Sequence, residues 1–557
     1  MNRLVNRRIR VFLAAIGLAF ALLLMRATWL QTVQAGSLSS LGQTQHREAV
    51  TLPAGRGTIF DRSGVELALG ESATTVYANP KQIANPRQAA AAVERTLGLN
   101  ADQVFSSLAD RTHGFVYVAR QADPAQAAAL QRLKLPGFGF YPEEHRNYPQ
   151  RSVAAQILGF VGTDGNGLSG LELQFDRALA GRAGTETVVK DPGGRVIEVQ
   201  NQHPEVPGRD VYLTLDHSIQ ANAEQVLRDT VRKWSAKSAS AIVLDPRTGA
   251  ILAMAVQPGF DANRFPSAPS DLQRNTTVTD TYEPGSTFKL ITVAGALSER
   301  IVSPTTRFRL PYSLHVADRV IHDAEQRGTV NYSVSQILAH SSNIGAITLA
   351  QMLGRTRLSA WITRFGFGRT TGIDFPGESP GIVLPPDKWS GSTIGNVPIG
   401  QGIAVTPVQM AAAYAAVANR GVWSRPHLVD HVTGGGRPSL NKRRLVSPRI
   451  AKQLMSMLKD VVAEGTGQYA AVPGYQVAGK TGTAQKPDSH GGYATGRYVA
   501  SFVGIVPASR PRFVILVRVD EPRGAIWGGT VAAPAFQQIA RFDLQYLEVP
   551  PDASTGH

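Results

Sequence analysis

An uncharged run from Val11 to Met25 stands between an arginine-rich head (Arg3, Arg7, Arg8, Arg10) and Arg26. Carried on to Leu30 by a snorkelling Arg26 and an interfacial Trp29, it reaches the ~20 residues that a membrane-crossing helix needs. The arginines on its N-terminal side predict that this end stays in the cytoplasm and that the bulk of the chain lies outside. A cleaved signal peptide is the competing reading, because Val33-Gln-Ala35 ends in the small residues of a cleavage site. We adopt retention as a single-pass anchor.

Downstream the pattern changes twice. From about Gln45 to Pro207 it mixes short strands and helices: Asp61-Arg62-Ser-Gly64 predicts a turn between two strands, and Asn100 to Leu133 carries helical periodicity that predicts two surface helices. From Asp210 a strand, Val211 to Asp216, leads into an amphipathic helix ending near Trp234, and Pro246-Arg-Thr-Gly249 turns a hairpin between Ala241–Asp245 and Ile251–Val256. Three further strands follow much later, at Tyr475–Lys480, Tyr498–Val506 and Phe513–Asp520. The region between is mostly helical, with capping boxes at Ser333 and Thr406 and stops at Gly354 and Gly421. A sheet built from both ends of a domain with helices inserted between is an α+β plan. The expected order is a cytoplasmic tail (1–10), an anchor (11–30), a non-catalytic pedestal (31–207), a catalytic domain (208–545) and a flexible tail (546–557).

Composition narrows the chemistry. With 557 residues, 43% of them hydrophobic, the chain can hold two or three ordinary cores. The absence of cysteine excludes disulfides, thiolate catalysis and Cys-based metal sites, and no His cluster suggests a metal. A net charge of +15 suits an anionic membrane or an acidic polymer such as cell wall. No basic motif interleaved with stacking aromatics argues for nucleic acid.

Three short motifs carry the candidate chemistry. Glu283-Pro-Gly-Ser286-Thr-Phe-Lys289 places a hydroxyl and an amine three residues apart, where a Pro-Gly turn gives way to a helix, so both lie on one helical face. A lysine activates such a hydroxyl only if burial or nearby positive charge lowers its pKa. Ser341-Ser-Asn343, wedged between two apolar helices, predicts a hydroxyl and an amide directed into a cleft. Lys480-Thr481-Gly482-Thr483 is expected at the end of a strand, ahead of a loop holding Gly491 and Gly492. There Gly482 would let a substrate backbone approach, and free N–H groups could hold an oxyanion or an extended peptide.

Ser-x-x-Lys, Ser-x-Asn and Lys-Thr-Gly in this order identify the chain as resembling the penicillin-binding proteins and β-lactamases. The resemblance to class B penicillin-binding proteins extends along nearly the whole chain. Arg56-Gly57, Asp61-Arg62-Ser-Gly64, Arg146 to Pro149 and Gly167 to Glu172, with Gly170, resemble that class's pedestal motifs. Arg274-Asn275, Asp280, the Ser286 motif and Gly400 to Pro407 resemble its septal, division or sporulation group, with an elongation role as the alternative. The resemblance implies an α+β transpeptidase domain, a five-stranded antiparallel sheet with helices on both faces and a helical subdomain, behind an elongated pedestal and one membrane helix.

It also implies peptidoglycan D,D-transpeptidation. Ser286 would form the acyl-enzyme with release of D-alanine, Lys289 would act as base, and Ser341 would relay a proton to the leaving amine. Asn343 would hold Lys289 and the substrate amide, and Lys480 would keep positive charge near Lys289. Lys480, Thr481 and Thr483 would bind the terminal carboxylate, and the N–H groups of Ser286 and Thr483 would form the oxyanion hole. Arg56, Asp61, Arg62 and Glu172 are read as ion pairs joining pedestal and catalytic domain, and Gly170 as a structural position. Implied partners are lipid-linked and nascent peptidoglycan stem peptides, β-lactams, a SEDS-family glycan polymerase and divisome membrane proteins, with no metal or organic cofactor. A β-lactamase would need a carboxylate to activate water, for which no motif is apparent. A carboxypeptidase differs only in its acceptor, and a non-catalytic wall-binding or β-lactam-sensing receptor is the alternative from another class.

Overall fold

The structure, a computed structural model, describes residues 2–34, 36, 47–190, 196–437, 439–488 and 491–552. Ala35 of the cleavage-like triplet, residues 37–46 of the expected pedestal and 553–557 of the expected tail lie outside these. Helix α1 spans Asn2–Thr32, and its stretch Val5–Thr32, with mean hydropathy 2.1 and none of it buried, is long and apolar enough to cross a membrane. The arginine-rich head continues this helix. The chain falls into two compact units, one of residues 1–55 and 181–208, the other of residues 56–180 and 209–557. In the first, strands Arg47–Leu52, Gly184–Lys190 and Val196–His203 pair antiparallel in that order.

The second unit holds the expected five-stranded sheet. Helix α2 (His217–Trp234), capped by Asp216, leads into β1 (Ser238–Leu244) and β2 (Ile251–Gln257). The inserted helices include α3 (Lys289–Ser298), α4 (Val334–Ala339), α5 (Asn343–Leu353), α6 (Pro407–Ala418) and α7 (Pro448–Ala463). The chain returns through β3 (Ala478–Pro487), β4 (Tyr493–Val506), β5 (Phe513–Asp520) and α8 (Ala533–Tyr546). The antiparallel order β2-β1-β5-β4-β3 leaves β3 on one edge. Every residue of β2 and β5 is buried, as a sheet covered on both faces requires. Alternate side chains divide between two cores. Ile242, Met254, Leu516 and Val503 join α3 and α6, whereas Ala241, Val243, Ile515 and Phe502 join α2 and α8. Both capping boxes form, at Ser333 and Thr406, each closing a helix start with reciprocal hydrogen bonds.

The pedestal part of this unit centres on the strand Glu66–Ala78, which pairs with Ile59–Phe60, Val116–Ala122 and Phe138–Asn147. Asn100 to Leu133 does contain two helices, Ala101–Ala109 and Pro124–Arg132, but the strand Val116–Ala122 lies between them. That strand is partly exposed along its length, so it lacks the apolar alternation by which a sequence declares a half-buried strand.

The pedestal ion pairs also differ from expectation. Glu172, fully buried, takes Arg56 and Arg146 at 2.7 Å each, so this triad ties the pedestal to itself. Gly170 adopts φ +58°, and a Cβ there would lie 2.5 Å from the Ile157 carbonyl oxygen. Other contacts reach the catalytic part, among them the parallel pairing of Ile59 and Phe60 with Val211 and Tyr212 and hydrogen bonds from Gln156 to the Pro258 and Leu272 carbonyls. Asp61 accepts from the His217 backbone N–H and pairs with Nδ1 of the same residue at 2.7 Å; Asn263 exchanges hydrogen bonds with the Tyr148 backbone; Glu224 accepts from the Ala154 N–H. Arg62 is exposed and enters no ion pair among the described residues.

Asp543 in α8 is completely buried, and neither carboxylate oxygen has a hydrogen-bond partner. Burial, and then the charge of Asp216, pushes its carboxyl well above the usual range. The folded state thus keeps a proton that the unfolded chain has lost, so stability falls as pH rises from about 4 to the raised folded value, and the penalty is constant above it. Asp543→Asn, which carries no charge at any pH, is expected to raise the melting temperature at pH 7 and to flatten this pH dependence. Thermal denaturation between pH 4 and 8 checks it, and a lower melting temperature for the variant at pH 7 would contradict it.

Candidate active site

The site is assembled where a short turn is pressed onto the edge strand. Residues Gly285–Phe288 form a 3-10 turn that runs straight into α3, bringing Ser286 to its start. Backbone meets backbone here with no room for side chains. A Cβ on Gly482 would lie 2.8 Å from the Pro284 carbonyl and 2.4 Å from Ser501 Oγ; one on Gly285, at φ +53°, would lie 2.7 Å from the Thr483 carbonyl; one on Gly400 would lie 2.1 Å from the Gly285 carbonyl. The Gly285 N–H donates to the Gly400 carbonyl at 3.0 Å. Gly482 is therefore needed to seat the serine-bearing turn, and its free space is taken by protein, not by substrate as expected from the sequence. Tyr414 OH, buried in α6, donates to the Thr287 carbonyl and holds the turn from behind.

Lys480-Thr-Gly-Thr483 lies inside β3, not at its end, because β4 is long enough to pair β3 out to Pro487. Thr481 and Thr483 use their hydroxyls within the protein: Thr481 Oγ1 bonds Thr466 Oγ1 at 2.7 Å, and Thr483 Oγ1 accepts from the Gly528 N–H at 3.1 Å. Gly491 and Gly492 both take positive φ in the loop after β3.

Lys289 and Lys480 are both fully buried. The Lys289 ammonium donates to Asn343 Oδ1 at 2.7 Å, to Ser341 Oγ at 3.3 Å and to the Ser341 carbonyl. Among the described residues no hydrogen bond joins it to Ser286, which sits half-buried one turn away. Burial pushes the Lys289 amine down to about 7, and the Asp323 carboxylate opposes that shift. Lys480 is held well below the usual lysine range, first by burial and then by the charge on Lys289. The expectation that Lys480 charge depresses Lys289 is thus replaced by desolvation, the larger effect at a fully buried amine. Lys480 Nζ has only longer bonds, to the Thr481 carbonyl at 3.3 Å and hydroxyl at 3.5 Å.

Asp323 was not anticipated. It follows the strand Arg319–His322, accepts from the Ser342 hydroxyl and from the N–H groups of Asn343 and Ile344 at the start of α5, and pairs with Arg327. The preceding His322 carbonyl accepts from Asn343 Nδ2 at 2.8 Å. One segment thereby fixes both the backbone and the amide of the Ser-x-Asn motif, while Ser341 is held at φ +59°, a strained conformation for a residue other than glycine. No sequence pattern marks a lone Asp twenty residues upstream of the motif it supports. Glu283 is the other addition: Oε1 accepts from the Gly402 N–H at 2.8 Å, Oε2 is buried without a partner, and burial raises its pKa. Asp61, Asp216 and His217 bring potential metal-ligand atoms within 4.8 Å of one another, but Asp61 and Asp216 spend theirs on turn and helix-cap hydrogen bonds.

Comparison with known proteins agrees with this geometry. The penicillin binding protein transpeptidase domain family matches residues 239–541, and the penicillin-binding protein dimerisation domain family matches residues 51–213. The penicillin-binding protein PbpB of Mycolicibacterium smegmatis is 35% identical over 95% of this chain and 88% of its own. The peptidoglycan D,D-transpeptidase FtsI of Escherichia coli is 32% identical over 99% of this chain and 94% of its own. The crystal structure of penicillin binding protein 3 from Mycobacterium tuberculosis complexed with ampicillin superposes with a TM-score of 0.73 at 32% identity, covering 91% of this chain and 98% of that one.

Because the Asp323 charge raises the Lys289 pKa, Asp323→Asn is expected to shift the pH at which acylation switches on to a lower value. Loss of the clamp on the Ser-x-Asn segment should also slow acylation about 10- to 100-fold. Stopped-flow labelling with a fluorescent penicillin between pH 5 and 9 measures both. An upward shift of the inflection would refute the assignment of Asp323 to Lys289.

Proposed function

The chain belongs to the class B penicillin-binding proteins, the peptidoglycan D,D-transpeptidases, and from that premise we propose that Ser286, Lys289, Ser341, Asn343 and Lys480 carry the reaction, with the β3 backbone at Thr481, Gly482 and Thr483 lining the substrate. Residues 31–207 serve as the pedestal and 208–545 as the transpeptidase domain, a division supported by the two family matches. The observation that carries the assignment is the fully buried Lys289, hydrogen-bonded to the half-buried Ser341 and Asn343 one turn from Ser286 and backed by a second buried amine.

In this reading Ser286 Oγ attacks the carbonyl between the two terminal D-alanines of a stem peptide and passes its proton to Lys289. The oxyanion is stabilised by the N–H groups of Ser286 and Thr483, the first at a helix start. The C–N bond breaks, Ser341 delivers a proton to the departing D-alanine amine, and an ester remains on Ser286. An amine of a neighbouring stem then attacks the ester, loses its proton to the same relay and regenerates the hydroxyl.

Burial bears on how the base is switched. Two amines in one dry pocket repel each other, so they share less than two protons at neutral pH. Lys289 has the better acceptors, and with its pKa lowered to about 7 it holds its proton only part of the time in the free enzyme. A substrate carboxylate arriving at Lys480 draws positive charge there and leaves Lys289 neutral. Base activation is then tied to occupancy, and β-lactams, which present a carboxylate and a reactive carbonyl in the same relation, exploit it.

The relatives named FtsI and stage V sporulation protein D favour septal wall synthesis. The arginine-rich start of α1 supports an N-terminus on the cytoplasmic side and a catalytic unit outside. Cross-linking needs nascent glycan strands, and we assign their supply to a SEDS-family polymerase meeting α1 and the pedestal alongside divisome membrane proteins.

Labelled penicillin is expected to acylate the full chain at Ser286 and to leave Ser286→Ala unlabelled; equal labelling of the two would end this reading. Donor and acceptor stem peptides should then yield cross-linked product with release of D-alanine, whereas acylation without turnover would favour a receptor. Removal of Met1 to Leu30 should spare acylation but fail to support septation as the sole cellular copy, and normal division on the truncated form would refute the anchor's role.

A further inference from the structure

The edge of the sheet opposite Lys480 faces a second cleft of about 470 Å³. It lies where the turn between β1 and β2 approaches the pedestal strands and the entry to β5, and it contains none of the residues assigned to acyl transfer. Its charges do not balance: Arg62, Arg247, Arg437 and Arg512 line it against only Asp245 and Asp430. Both carboxylates are already matched, Asp245 by Arg247 at 3.2 Å and Asp430 by Arg437 at 3.4 Å and by His431. Arg62, from the pedestal turn, and the half-buried Arg512, from the start of β5, have no acidic partner among the described residues.

The wall is also flat and aromatic. Tyr212 stacks on His431 with ring centroids 4.5 Å apart and planes within 5°, and on its other face against Phe60 at 4.8 Å. Buried Leu213, Leu252 and Phe513 form the floor. A pocket of this size with an apolar floor and a few convergent polar groups has the build of a small-molecule site. Guanidinium groups suit phosphate or carboxylate through paired N–H donors.

We propose that this cleft binds an anionic small molecule bearing phosphate or carboxylate, held by Arg62 and Arg512 and laid against the Tyr212–His431 stack. Because Arg62 belongs to the pedestal and Arg512 to the transpeptidase sheet, the ligand bridges the two within one compact unit. The two sources of such an anion are phosphate groups, as on lipid-linked wall precursors, and carboxylates, as on wall peptides.

The test uses the full chain in detergent micelles and isothermal titration calorimetry at 150 mM salt with two probes, inorganic pyrophosphate and N-acetylmuramyl dipeptide. At least one is expected to bind saturably, and its affinity should fall tenfold or more in Arg62→Ala/Arg512→Ala, with a smaller loss in the double Lys variant. Penicillin labelling of both variants should match the parent, which shows that they are folded and separates this test from that of the acyl site. Binding of pyrophosphate alone assigns the phosphate source, and binding of the dipeptide alone the carboxylate source. The proposal is overturned if neither probe binds, if the double Ala variant binds as tightly as the parent, or if prior acylation of Ser286 abolishes binding.

Discussion

A lysine amine taken wholly out of water must be discharged or matched, and Lys289 is partly both. Its pKa falls from 10.5 to about 7, and its remaining proton is shared among the Ser341 carbonyl, the Ser341 hydroxyl and the Asn343 amide. Most of the helical subdomain follows from that requirement. Asn343 can face the amine only because α5 begins there, and α5 begins there because Ser342 and Asp323 supply its N-terminal caps. The strained Ser341 persists because α4 and α5 hold it from both sides.

The serine is governed by a different constraint, the close approach of bare backbone. Gly285, Gly400 and Gly482 each leave a gap that a neighbouring main-chain segment fills, so the turn, the Gly400–Gly402 loop and β3 are in mutual contact. None could move by an ångström without leaving a void or a clash. This gives Ser286 a rigid seat on the sheet edge while Lys289 hangs from the helical side. The nucleophile and its base are thus positioned by independent means, packing for one and polar matching for the other.

The compact unit that carries this site includes residues 56–180 as well as the catalytic domain. The buried Arg56–Glu172–Arg146 triad gives the pedestal a core of its own, since Glu172 without its arginines would be an uncompensated buried charge. The links to the catalytic part are the parallel pairing of Ile59–Phe60 with Val211 and Tyr212, a shared hydrophobic core, and hydrogen bonds among which those of Asp61 at the N-terminus of α2 are the most numerous. Arg62, beside it, is left free to face the second cleft.

The apolar N-terminal helix, four of the five strands of the catalytic sheet, both capping boxes and the three motifs were legible in the chain because each rests on local rules, a run of apolar residues or a Ser or Thr followed three residues on by Gln, whereas the strand expected at Tyr475–Lys480 runs from Ala478 to Pro487. The strand Val116–Ala122 escaped because it is partly exposed on both faces and so carries no alternation to read. Gly482 was recognisable as a close approach, but which backbone comes close is a matter of tertiary packing. The same holds for Glu172, whose charge pointed to an ion pair but not to partners within the pedestal. Asp323 and the origin of the Lys289 shift were beyond the sequence altogether, because burial and charge proximity arise only after segments twenty to two hundred residues apart are brought together. Sequence by itself determined the chemistry available and the local element that carries each group. Tertiary structure alone decided how dry the pocket is, which groups share a proton and whose backbone fills the space beside each glycine, since desolvation and steric fit depend on all neighbours at once.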